Sequence, residues 1–290
     1  MKKTKKIILP CVLLVLALLI VWTLWGNTAL QVSEYHIVSG RIPQGFDGFR
    51  IAQVSDLHNA EFGEDNETLF ELLSRTEPDI IVVTGDLIDS RQTDIDIALG
   101  FVRQAVEIAP VYYVSGNHES RVGEYERLKA GLEEAGAVVL ENRKVQIIRE
   151  GESITLMGID DPSFRADYLF GDAASVARME IENQRGDFDG YTILLSHRPE
   201  LFDLYVDTGM DLVFSGHAHG GQFRLPILGG LVAPNQGFFP QYDAGRFDEE
   251  NTTMIVSRGV GNSIIPIRFN NRPEIVLVTL RSMKLFDNPR

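Results

Sequence analysis

Ile51-Ala52-Gln53-Val54-Ser55-Asp56-Leu57-His58 begins as an apolar run and ends in two side chains that bind metal ions. The chain repeats this unit. Ile80-Ile81-Val82-Val83 leads to Gly85-Asp86-Leu87-Ile88-Asp89, and Val111-Tyr112-Tyr113-Val114 leads to Gly116-Asn117-His118-Glu119. Thr192-Ile193-Leu194-Leu195 precedes Ser196-His197-Arg198, and Leu212-Val213-Phe214 precedes Gly216-His217-Ala218-His219-Gly220-Gly221. Short apolar runs bounded by polar or glycine-rich turns have the pattern of buried strands. Side chains delivered at one end of several strands can meet at one sheet edge. Five of the six histidines fall in these segments. The pattern predicts a cage of carboxylates, imidazoles and an amide for two divalent cations, and with it hydrolytic chemistry. His36, which precedes the set, reads as a solvent or strand-face residue.

Helical periodicity fills the gaps between these strands. Residues 68–75 read as a helix capped by Asp65 or Asn66, residues 94–108 as a second with Ile95, Ala98, Leu99, Val102 and Ala105 on one face, and residues 124–135 as a third stopped by Gly136. Further helices are expected over 173–182 and, opening on a proline, over 199–206. Short strands are expected at 138–140, 145–148, 154–157, 253–257, 264–267 and 274–280. Alternation first and strand dominance later point to an α/β (α+β) fold, a four-layer sandwich of two mixed β-sheets flanked by helices. Residues 223–247 read as a long irregular loop beside the site. Its Phe238-Phe239 pair either packs over the core of its own domain or reaches acyl chains.

Residues 7–25 are almost uninterruptedly apolar, and as a helix they span roughly 28 Å, the thickness of a bilayer core. Lys2, Lys3, Lys5 and Lys6 precede them without an acidic residue. That asymmetry keeps the N-terminus cytoplasmic and places the rest outside, on a single-pass transmembrane helix; the alternative is a cleaved signal and a secreted domain. The expected organisation is a stub and anchor over 1–26, a linker with a strand near 35–38 over 27–48, and a catalytic domain over 49–290. The four lysines leave 23 basic against 41 acidic residues in the remainder, a net charge of −18. Such a domain repels nucleic-acid polymers, so a phosphorylated small molecule or lipid headgroup is the expected partner. Cys11 is the sole cysteine and lies in the apolar run, so neither a disulfide nor a thiolate ligand is available to the domain.

The ordered set Asp-x-His, Gly-Asp-x-x-Asp, Gly-Asn-His-Glu, a lone His and Gly-His-x-His resembles the calcineurin-like metallophosphoesterase superfamily over residues 49–280. Ser257-Arg258-Gly259-Val260-Gly261, with Pro266, Arg268 and the apolar N-terminus, resembles a membrane-associated bacterial branch of it. The resemblance implies one metal on Asp56, His58 and His219, another on Asn117, His197 and His217, and Asp86 bridging both. It implies Mn, Fe or Zn, with Mn favoured, and attack of a metal-activated hydroxide on a phosphodiester or pyrophosphate. It makes His118 the group facing the leaving oxygen and Asp89 the carboxylate that orients and charges this imidazole. Asn117 and Arg198 are the candidate substrate contacts, with Arg121 weaker; Arg198 reads equally as a surface arginine. Glu119 reads as support for the ligands rather than as a catalytic group, and Asn59 replaces a glycine common in relatives. Phosphomonoester or protein phosphatase activity is the alternative, and Arg91, two residues beyond Asp89, does not match the arginine that directly follows that aspartate in protein phosphatases. A non-catalytic binding module is the remaining alternative.

Overall fold

Val82 points to one side of its strand and Ile81 and Val83 to the other, and all three are buried. That double burial is the signature of a parallel strand covered on both faces, and it recurs through the protein. The computed structural model describes residues 2–165, 172–184, 186 and 190–283. One sheet contains β1 (Gln31–Ser39), β2 (Arg50–Val54), β3 (Ile80–Thr84), β4 (Val111–Val114) and β5 (Val138–Val139). The last strand, Glu274–Ser282, inserts between β1 and β2, parallel to the first and antiparallel to the second. The other sheet contains β6 (Arg143–Arg149), β7 (Glu152–Gly158), β8 (Thr192–Leu195), β9 (Leu212–Ser215) and the strands Thr252–Val256 and Gly245–Glu249. The inner strands β2 to β5 run parallel, as do β7, β8, β9 and Thr252–Val256.

Ile51, Val82, Leu156, Ile193, Phe214 and Val278 form a core between the two sheets. α2 (Glu67–Arg75), α3 (Ile95–Ala105) and α4 (Tyr125–Glu134) cover the far side of the first sheet with Leu69, Phe101 and Leu128. α5 (Ala173–Gln184) and α6 (Phe202–Asp207) cover the second sheet with Ile181, Phe202 and Tyr205. Four layers result: helices, sheet, sheet, helices. The caps follow local chemistry. Asp94 accepts hydrogen bonds from the N–H groups of Asp96 and Ile97 at the start of α3, and Gly136 (φ +98°) takes the left-handed turn after α4.

α1 (Lys2–Thr28) precedes this sandwich, with exposed apolar side chains from Leu9 onward. The segment read as a linker carries nine-residue β1, paired along its whole length with Glu274–Ser282. Residues 264–267, expected as a strand, form none: Pro266 lacks an N–H, and the carbonyls of Ile265 and Ile267 accept from the Gln222 side chain instead (2.7 and 2.9 Å). Residues 223–247 hold more structure than expected. Arg224–Leu225 pairs with Gly229–Gly230, Val232–Ala233 pairs with Gly237–Phe238, and the strand Gly245–Glu249 begins there. Phe238 and Phe239 are 75% and 60% exposed, so they do not pack over the core.

Candidate metal centre

Asp56 and His58 follow β2, Asp86 follows β3, Asn117 and His118 follow β4, His197 follows β8, and His217 and His219 follow β9. These strands come from both sheets, and the loops at their C-terminal ends converge, so residues 161 positions apart touch. His58 Nε2 lies 3.2 Å from His219 Nε2, and both ring nitrogens approach Asp56 Oδ1, at 3.8 and 3.3 Å. His197 Nε2 lies 3.1 Å from His217 Nδ1 and 3.3 Å from Asp86 Oδ2. The same Asp86 oxygen is 3.6 Å from His58 Nε2 and so stands between the two groups. Three donor sets follow: Asp56–His58–His219, His58–Asp86–His118 and Asp86–His197–His217, all buried.

The backbone around these side chains is unusual. Asp56, His58, Asp86, His217 and His219 all have positive φ, between 47° and 65°. Such conformations cost non-glycine residues roughly 1–3 kcal/mol each and persist where surrounding structure enforces them. Glu119 does much of the enforcing. Its buried carboxylate accepts from the backbone N–H groups of Asp86 (3.0 Å), Leu87 (2.7 Å) and Gly116 (2.8 Å), which ties two ligand-bearing loops together. A Cβ on Gly116 would sit 2.3 Å from Asp86 Oδ1, so only glycine fits there. Asn59, at φ +58°, takes the left-handed turn that glycine would; asparagine tolerates it best among side-chain-bearing residues, and its amide donates to Gln92 O.

The donor set fits divalent cations. Among the described residues Asn117 Oδ1 is buried without a hydrogen-bond donor. His197 Nδ1 donates to Thr84 O (2.7 Å), which turns Nε2 toward the cluster. Burial raises the pKa of the Asp56 and Asp86 carboxyls, but the surrounding imidazoles outweigh it and hold both below the ordinary carboxylate range. Burial lowers the His197 pKa, yet Asp86 pushes it up to about 10. His219 falls to about 3 through burial. The two buried carboxylates thus favour the protonated forms of both His197 and His58, positive charge of the kind a cation would supply.

His118 differs from expectation. Its Nδ1 accepts from the Ser90 backbone N–H (3.0 Å), whereas Asp89 Oδ1 is 3.8 Å away. Asp89 is instead engaged by Arg91, through the guanidinium and the backbone N–H, and this pair holds its carboxyl near 2 although burial opposes it. Burial lowers the His118 pKa below the ordinary value. The imidazole is therefore neutral near pH 7, with its proton on Nε2, 3.3 Å from Ser263 Oγ. Ser90 sets the tautomer; the Asp89 carboxylate stands beside the ring and favours its charged form, but burial outweighs it.

Arg198 is neither a surface arginine nor free for substrate. It is buried, pairs with Asp161 through Nε and Nη2, reaches Ser163 Oγ (2.8 Å), and places Nη1 3.4 Å from Glu200 and 3.2 Å from His217 Nε2. All three of its nitrogens have partners, so it positions His217. Arg121 is the exposed arginine of the cleft, and no carboxylate among the described residues pairs with it. Sequence reasoning also missed Asp161, Ser90 and Ser263, which lie outside the metal-binding motifs and carried no signal of their own. The cleft, about 220 Å³, is lined by Asp86, Asn117, His118, Arg121, Ser163, Arg198, His217 and His219, with Pro234, Asn235, Ser263 and Ile264.

Comparison with known proteins agrees with this geometry. The uncharacterised metallophosphoesterase YkuE of Bacillus subtilis is 30% identical over 258 residues, 87% of this chain and 86% of that protein. The phosphodiesterase YaeI of Escherichia coli is 28% identical, over 80% of this chain and 82% of its own. A transmembrane protein with a metallophosphoesterase domain from Danio rerio is 29% identical over 87% of this chain and 57% of its own length. Residues 49–221, which begin just before β2 and end just past His219, match the calcineurin-like phosphoesterase domain, and the chain belongs to that family.

Proposed function

We propose that the protein is a dinuclear metal-dependent hydrolase of phosphodiester or pyrophosphate bonds. In this reading Asp56, His58 and His219 hold one ion, Asn117, His197 and His217 hold the other, and Asp86 is shared. The observation that carries it is Asp86 Oδ2 between His58 and His197, 3.6 and 3.3 Å away, beside the unpartnered Asn117 oxygen. Oxygen and imidazole donors without thiolate suit Mn, Fe or Zn, and Mn is the proposed pair. Two such cations supply the Lewis acidity that displacement at phosphorus needs.

The chain's own groups do the rest. Thr84 O and Asp56 hold His197 and the His217 backbone in place. Arg121, exposed at the cleft, would contact a phosphoryl oxygen there. His118 directs Nε2–H into the same cleft, where it donates to the departing oxygen as charge gathers there. A diesterase activity is supported by the likeness to the Escherichia coli phosphodiesterase YaeI. A protein-phosphatase reading is disfavoured by Arg91, whose guanidinium is spent on Asp89 and Ser263 O. The test is full-length protein with Mn²⁺ on bis(4-nitrophenyl) phosphate, with metal content by elemental analysis. Wild type should bind about two ions per chain, and Asp86→Asn should lose both stoichiometry and turnover. Full activity with no bound metal would defeat the reading.

A further inference from the structure

His219, Pro234, Ser263 and Ile264 line the metal cleft and also a second cavity of about 270 Å³. Away from that shared wall the second cavity is mostly apolar: Ala218, Val232, Ala233 and Ile265 face it with one polar residue, Gln222, whose side-chain amide donates to Ile265 O and Ile267 O. A polar cleft that opens onto an apolar hollow matches a ligand with a phosphate at one end and hydrocarbon at the other.

The surroundings indicate where such a ligand comes from. Ile227 is fully exposed, and Leu228, Phe238, Ile264 and Ile267 are 63%, 75%, 70% and 48% exposed. Soluble surfaces rarely gather large apolar side chains this way. The two segments that carry them are interlocked, because Gln222 donates to Ile265 O and Ile267 O, and the Arg224 N–H donates to Phe269 O. The second segment is also clasped to the end of α1. Asn27 Nδ2 donates to Arg268 O (2.8 Å), and the Arg268 N–H donates to Asn27 Oδ1 (2.7 Å). Arg272 donates to Ala29 O and Leu30 O and lies 4.9 Å from the Trp25 ring. The residue after exposed Ile267 is thus bonded to the helix that has the length and composition of a bilayer span. Apolar side chains held at that level enter the headgroup region of the same bilayer.

We infer that the second cavity seats the hydrocarbon chain of an amphiphilic phosphoester taken from the membrane, its phosphate reaching the metal cleft past His219 and Ser263. This rests on the hydrolase reading above. It names the substrate class as a phosphodiester or pyrophosphate that carries an alkyl or isoprenoid chain.

Two measurements on the full chain in nanodiscs test it. In the first, methyl and dodecyl 4-nitrophenyl phosphate are hydrolysed with Mn²⁺ by wild type, Val232→Trp and Ile265→Asp. The readout is the ratio of kcat/KM for the two esters. Partitioning into the disc is common to every form, and general loss of activity cancels in the ratio. The expected wild-type ratio exceeds that of each variant by roughly tenfold, the size expected when a few methylenes leave an apolar site. One ratio shared by all forms overturns the inference and leaves the hydrolase reading standing. No turnover of either ester by metal-loaded wild type overturns both. In the second, Ile267→Cys in a Cys11→Ser background carries an environment-sensitive dye, without metal. A blue-shifted emission quenched by spin-labelled lipid supports the membrane contact; emission as in water, unaffected by that lipid, overturns it.

Discussion

In the proposed reaction, His118 is the residue whose state would decide how the leaving oxygen is handled. Ser90 fixes its proton on Nε2, and burial keeps it neutral, so it acts as a hydrogen-bond donor with a pKa below the usual imidazole value. Its contribution grows as the leaving group becomes more basic. His118→Ala should lower kcat about 10²–10⁴-fold for an alkyl leaving group and far less for 4-nitrophenolate, with metal content unchanged; equal losses on both would remove it from proton delivery. Asp160 gives a second prediction at this scale. Burial, then nearby Glu141, raises its carboxyl to about 7, despite hydrogen bonds from Ser115 and Asn142. A pKa raised on folding contributes stability that is complete below the unfolded value near 4 and is lost as pH rises towards 7. Thermal unfolding of the metal-free protein should therefore show Tm falling between about pH 4 and 7, with a shallower fall in Asp160→Asn. The candidate ligands were legible because a metal donor must be one of few residue types and their spacing repeats. The arginines were not, since adjacency to His197 says nothing about the direction of Arg198, whose guanidinium turns to Asp161 and so leaves Arg121 as the exposed arginine of the cleft.

Strands and loops divide the work of holding the site. The central strands were readable as apolar runs of four or five residues, since burial on both faces removes any polar alternation. Residues 264–267 carry the same apolar signal without becoming a strand, because Gln222 takes the carbonyls that a neighbouring strand would have bonded. Such a side-chain substitute for a strand partner lies some forty residues away and leaves no mark in local pattern. The loops matter more than the strands for metal affinity. Gly116→Ala would drive a methyl group into Asp86 and Glu119's backbone contacts. It should cost most of the bound metal at Asp86 while circular dichroism stays close to wild type. Phe214→Ala, between the sheets, should instead lower stability by about 3–5 kcal/mol in denaturant unfolding; full metal content in the first variant, or an unchanged midpoint in the second, would contradict this division.

The whole molecule joins a four-layer sandwich to an apolar helix through one clasp, Asn27 with Arg268 and Arg272 with Ala29 and Leu30. The layers could be anticipated from the order of strand and helix patterns, but the clasp could not, because it pairs residues about 240 positions apart. Lys2, Lys3, Lys5 and Lys6 predict that the sandwich lies outside the cytoplasm. Protease added to right-side-out membrane vesicles should digest it, and inverted vesicles should protect it; the reverse pattern would place it in the cytoplasm. The clasp also sets what the protein can reach. With α1 in a bilayer, a domain fixed at its root cannot swing as a ball on a string, so its mouth stays at one height and one attitude. If the inferred membrane-borne phosphoester is the substrate, encounters then follow lateral diffusion in two dimensions, and turnover should depend on its mole fraction in the leaflet rather than on its bulk concentration.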